Sequence, residues 1–231
     1  MPDIQVIIQN ISIYALPVIL AITFHEVAHG WVASKKGDPT AMMLGRVTLN
    51  PLAHIDPIGT VLVPLVLLVM NSGFMFGWAK PVPVNFRLLH DQKRDPIYVA
   101  SAGVITNLML ASLSGLLFRI IAAIDPGVIY NVSMSGDADT LARKVLVPVA
   151  MMLVVSVRIN VILAIFNLVP IPPLDGGRIA VGLLPPRASM ALASVERYGM
   201  PLLILLMMSG IIWRFIDMPI RLLTAVILGA H

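Results

Sequence analysis

From Ile4 to Phe24 the chain carries no Lys, Arg, Asp or Glu, and it runs without a break into His25-Glu26-Val27-Ala28-His29. As a helix rising about 1.5 Å per residue, such a stretch is long enough to cross the roughly 30 Å hydrocarbon core of a bilayer. Ionisable side chains on a membrane helix are costly and mark a functional site by default. The two histidines are one helical turn apart, so they share a face and can offer both imidazoles to one metal ion, with Zn²⁺ the expected one. Between them, Glu26 is placed to take a proton from a water whose pKa the ion lowers to about 7. That combination hydrolyses amide bonds.

The rest of the chain fits a membrane protein. Apolar residues make up 58% of the sequence and charged ones 12%, with a mean hydropathy of +0.91, whereas a soluble domain is about a quarter charged. Across 231 residues there is no internal repeat or low-complexity linker. The expectation is one membrane-embedded domain, 1–231, with a core at about 13–178 and C-terminal helices at 179–231. With no cysteine, disulfides and thiolate ligands are excluded, and any metal site must draw on His, Asp or Glu. The net charge of +4 does not point to nucleic acid, because the basic residues sit mostly in short loops between apolar runs, where they set orientation.

Further apolar segments follow at Pro57 to Phe76, Ile97 to Ile124, Val145 to Val169 and Met200 to Ile216, with a short helix from Pro219 to Leu228. Lys35, Lys36 and Arg46, then Lys80, Arg87, Lys93 and Arg94, then Arg178, Arg187 and Arg197 mark three cytoplasmic loops by the positive-inside rule. Asp125 to Thr140 holds three Asp and no Lys or Arg, so it reads as external, as does the N-terminus. A full crossing by Pro57 to Phe76 would put the first two basic loops on opposite sides. A re-entrant segment removes that conflict, and Pro57, Gly59, Pro64, Asn71 and Gly73 supply the helix breakers. Gly45 to Pro51 and Lys80 to Phe86 have the alternating or Pro-bounded character of short surface strands.

A two-histidine helix needs a third protein ligand, and a catalytic zinc keeps its fourth position for water. Asp175 is the best candidate. It follows Asn167-Leu168-Val169-Pro170-Ile171-Pro172-Pro173-Leu174, whose prolines break the preceding span, and it precedes Gly176 and Gly177, which permit close backbone approach. The alternative is a cytoplasmic turn in which Asp175 caps a helix starting at Gly176. His54 and Asp56 form either a pair orienting a ligand or a local turn. Arg158 and Asn160, midway along an apolar run, are expected to face protein or a water-filled site.

Phe24 to Gly30, Ser101-Ala102-Gly103-Val104-Ile105-Thr106-Asn107 and the Asn167 to Gly177 stretch together resemble the three signature regions of the site-2 proteases, peptidase family M50, in order and spacing. Gly45 to Val63, including Asn50 to Pro57, and Phe76 to Asn85 further resemble a small prokaryotic branch of that family without PDZ or CBS modules. Val104 stands where the family usually has Pro. The resemblance implies that His25, His29 and Asp175 hold one Zn²⁺, that Glu26 is the general base, and that Asn167 donates to the oxyanion or, failing that, ties two helices. Asn107 would hold a helix interface or a substrate strand. The expected protein is therefore an all-α polytopic membrane protein, a site-2-protease-like helical core with short membrane-surface β-strands. Its expected activity is intramembrane zinc endopeptidase, its substrate a transmembrane protein, and its location the prokaryotic cell membrane as a multi-pass protein in contact with the lipid bilayer. A metal transporter or an inactive metal-binding relative are the rival readings.

Overall fold

A computed structural model describes residues 4–70, 77–129 and 141–229. Among them the regular structure is helical: α1 (Ile4–Lys35), α2 (Val63–Val69), α3 (Asp95–Ile124), α4 (Leu141–Asn167), α5 (Asp175–Leu183), α6 (Pro186–Val195), α7 (Gly199–Met208) and α8 (Ile211–Leu228). Among the described residues four stretches are long and apolar enough to cross a membrane: Ile11–Lys35, Asp95–Ile124, Lys144–Asn167 and Pro186–Met208. The protein is an all-α, multi-pass membrane protein.

The chain divides into two compact units, one formed by Met1–Ala21, Asn107–Ile165 and Asp217–His231, the other by Ile22–Thr106 and Phe166–Ile216. In the second unit α1 ends where Gly37 takes a positive φ of 106°, open to glycine at little cost. Lys36 beyond it reaches Asp95 at the start of α3, at 3.1 Å, with its ammonium 4.3 Å from the Tyr98 ring centre. The turn entering α3 is tied by Asp91, whose Oδ1 accepts from the amides of Lys93 and Arg94, each at 2.9 Å. Those amides, Arg94's first, hold its carboxyl below the usual carboxylate range. Ala33, Leu89 and Val99 form the small apolar core beneath.

The described ends of the expected re-entrant segment lie beside each other. A π-helical turn, Pro57–Leu62, capped by Asp56 through the amides of Ile58 and Gly59, leads into α2. Together they rise only about 20 Å at helical pitch, short of a bilayer core. The chain then returns beside its own entry: Lys80 N–H donates to His54 O at 2.9 Å and Trp78 N–H to Gly59 O at 3.1 Å. Gly59 is required there, since a Cβ would lie 2.3 Å from the Trp78 ring. Of the expected breakers, Asn71 and Gly73 lie outside the described residues, as does most of the expected external loop, from Tyr130 to Thr140.

The expected surface strands do not form. Gly45 to Pro51 and Lys80 to Phe86 contain no strand among the described residues. Pro81 and Pro83 have no N–H to give a ladder, and the amide between them, Val82, is taken by a side chain of α1. His54 and Asp56 do not pair with each other: His54 Nε2 donates to Thr48 O at 2.9 Å, and Asp56 caps its turn. Both are local turn elements.

In the first unit α3 and α4 are joined by a buried polar chain. Asn107 donates through Nδ2 to Asn160 Oδ1 at 2.8 Å and to Ala21 O at 3.2 Å. Asn160 donates to Ser156 O at 2.9 Å, and the Ser156 and Ser114 hydroxyls meet at 2.8 Å. Asn107 therefore holds a helix interface, as polar residues in membrane spans commonly do. Ala111, Val157 and Val161 form the adjoining core, covered by Ile220, Leu223 and Ile227 of α8. Arg158, expected to face protein or water inside the fold, is exposed on α4.

The C-terminal helices break at a different place from the expected one. The sequence suggests a span from Met200 to Ile216 and a new helix at Pro219. Instead α6, a short 3₁₀ turn and α7 form one run ending at Met208, and Pro219 lies inside α8. Gly210 has a positive φ of 74°, a conformation that ends a helix outright. A proline removes a single hydrogen bond, which membrane helices tolerate.

Candidate metal centre

Three side chains converge in the second unit. His25 and His29, one turn apart on α1, bring their Nε2 atoms to 3.0 Å, with the rings edge to face at 88°. Asp175 Oδ2 lies 3.3 Å from each. These are the only three such residues clustered closely enough to hold a metal ion among the described residues. A tetrahedral zinc with ligand bonds near 2.0–2.1 Å separates its ligand atoms by about 3.3 Å. The triangle fits that ion.

Two further observations concern the donor atoms. Asp175 Oδ2 is buried and receives no hydrogen bond, an arrangement that is expensive for a carboxylate unless a cation meets it. His29 Nδ1 lies 2.7 Å from Val99 O on α3. A carbonyl only accepts, so the proton sits on Nδ1 and Nε2 presents its lone pair to the centre, the arrangement that metal-binding histidines adopt.

The local fold explains how Asp175 arrives. The Pro170 to Pro173 turn separates α4 from α5, and Asp175 is the first residue of α5. The helix starts at Asp175 itself, with Leu174 as its cap residue and no side-chain cap, so the capping alternative does not hold. Gly176 and Gly177 let α5 press against the preceding turn: a Cβ on Gly176 would lie 2.3 Å from Leu168 O, and one on Gly177 2.3 Å from Pro172 N. Asn167, half-buried, closes α4 just before that backbone.

Gly103, which the sequence shows within a signature region but without a role, is placed at the site by the structure. It lies on α3 against the histidines, where a Cβ would be 2.5 Å from His25 Cε1 and 2.6 Å from His29 Nε2. A glycine inside an apolar helix is itself a signal of close approach. Gly103→Ala is expected to weaken zinc affinity by about tenfold to a hundredfold, the range seen when groups supporting a metal site are lost. Competition titration with a chelator checks it, and unchanged affinity would show that the rings are not confined by α3.

Glu26 is half-buried on α1, and its Oε2 accepts from Val82 N–H at 2.8 Å. Metal donors, an adjacent carboxylate and a buried setting make a centre able to activate water.

Comparison with known proteins agrees. The chain is 36% identical over 184 residues to a Bacillus subtilis protein provisionally named zinc metalloprotease YwhC, covering 80% of this chain and 74% of that protein. It is 26% identical over 191 residues to a Mycolicibacterium smegmatis protein provisionally named zinc metalloprotease Rip2, covering 83% of this chain and 64% of that one. No solved structure matches the chain. Residues 13–210 match Peptidase family M50, and the chain accordingly belongs to that family, the site-2 proteases, as a membrane-embedded zinc metalloprotease.

Proposed function

We propose that this protein is an intramembrane endopeptidase that cuts peptide bonds within or near the transmembrane segments of other membrane proteins. His25, His29 and Asp175 are the zinc ligands in this reading, one ion per chain, and Glu26 is the general base. The observation that carries it is the donor triangle of about zinc size, two corners of which stand on a membrane-spanning helix.

Bound zinc supplies a Lewis acid that acidifies water and polarises the scissile carbonyl. Glu26 removes a proton from the attacking water as its oxygen bonds to the carbonyl carbon. It then delivers that proton to the amide nitrogen as the C–N bond breaks. Asn167 donates its amide N–H to the oxyanion, with the packing of Leu168 and Val169 on Gly176 as support, because it brings the end of α4 to within a turn of Asp175. The substrate helix must unwind locally, since its peptide bonds are sheltered by their own hydrogen bonds, and helix-breaking residues near the cut will help.

The test uses the purified zinc-loaded protein in liposomes with a single-span substrate. Cleavage is expected in or beside the span, and faster with Gly or Pro near the cut. In the same assay Asn167→Ala is expected to lower kcat by about a hundredfold with zinc content and substrate affinity retained. Cleavage of soluble unfolded peptides with the embedded substrate left intact would defeat the intramembrane reading. Normal turnover from a destabilised Asn167→Ala protein would remove Asn167 from the mechanism.

A further inference from the structure

The extended segment Lys80 to Asn85 has no ladder partner, yet it is fixed along its length. Lys80 N–H donates to His54 O at 2.9 Å. Arg46 donates through Nη2 to Lys80 O at 2.9 Å and to Pro81 O at 3.4 Å. At the far end Asn85 N–H donates at 2.6 Å to Asp38 Oδ2, a carboxylate that is fully buried. Between these anchors Val82 is 7% exposed, and its side chain occupies a notch on α1 that exists because residue 30 is glycine. A Cβ on Gly30 would stand 2.9 Å from Val82 Cγ1 and 2.9 Å from Val47 Cγ2. Gly30 follows Glu26 by one helical turn. Val82 is therefore held against α1 beside Glu26, and its N–H donates to Glu26 Oε2 at 2.8 Å.

Proline on both sides makes that N–H the segment's one main-chain donor from Pro81 to Pro83. We infer that Val82 is a positioning residue: its backbone amide fixes the Glu26 carboxylate by one oxygen, leaving the other to carry the proton from water to the leaving nitrogen. A glutamate has three side-chain torsions, and a base left to rotate among them spends little time within reach of the reacting proton. A hydrogen bond to a carboxylate is among the stronger kinds, and this one comes from a backbone tied down at several points. The inference rests on Glu26 acting as the general base.

The amide can be removed with the side chain left in place by replacing Val82 with its α-hydroxy acid, which turns the 81–82 peptide bond into an ester. Val82→Pro removes the same N–H by ordinary mutagenesis. Single-turnover cleavage of the liposome substrate, zinc content and melting temperature are measured on each. The ester and Val82→Pro are both expected to lower kcat by about tenfold to a hundredfold, with KM and zinc stoichiometry unchanged. An unchanged kcat in the ester variant overturns the inference. So does a rise in KM alone, which would make the segment a substrate contact. If the zinc-loaded wild type cuts no peptide, or Glu26→Gln cuts as fast as wild type, the general-base reading fails and this inference with it.

Discussion

Glu26→Gln is expected to keep one zinc per chain and to lower kcat by about a thousandfold to ten-thousandfold, the upper part of what a positioned general base contributes. Glutamine has nearly the same shape and can still sit beside Val82, but it cannot take a proton from water. His29 is oriented by Val99 O and Asp175 lies against both histidines, while the Glu26 carboxylate is engaged by Val82 N–H. Metal analysis and single-turnover kinetics on one preparation separate the two effects. Loss of zinc along with activity would mean that Glu26 supports the metal and not the proton transfer. Cleavage near the wild-type rate would assign the base elsewhere.

Asp175→Ala is expected to lose stoichiometric zinc and, with it, all measurable turnover. Wild type gains thermal stability on adding zinc, since a ligand that binds only the folded state shifts the equilibrium toward it. The variant gains none. His25→Ala and His29→Ala are expected to lose zinc in the same way. Full metal occupancy in Asp175→Ala would remove Asp175 as a ligand, and a gain of thermal stability by that variant on adding zinc would do the same.

The parts of this protein that were legible in the sequence are those in which side-chain type and spacing carry the information. Two histidines a turn apart, and an acid after a run of prolines, declare a metal site before any fold is known, and the apolar runs declare the spans. What the sequence concealed depends on the main chain or on a missing atom. Lys80 to Phe86 alternates like a strand, but a strand needs a partner ladder, and the prolines withhold two of its amides while Glu26 takes the one between them. Pro219 looks like a boundary and is carried inside α8, because the positive φ at Gly210 ends the preceding helix first. Gly103 is a visible letter whose meaning is the methyl it lacks. The amide of Val82 has no letter at all, since every residue but proline offers the same one.

The donor triangle draws its corners from positions far apart in the chain, two at His25 and His29 and the third at Asp175. During synthesis the first span leaves the ribosome with both histidines long before the acid is made. On the ligand assignment proposed above, a nascent chain holds only two of its three metal donors until α5 has emerged, and a two-donor site grips zinc weakly. Hydrolytic competence then appears as one of the last properties the growing polypeptide acquires. On that assignment a partly built chain, lacking a complete zinc site, cuts no peptide bond while it is being inserted.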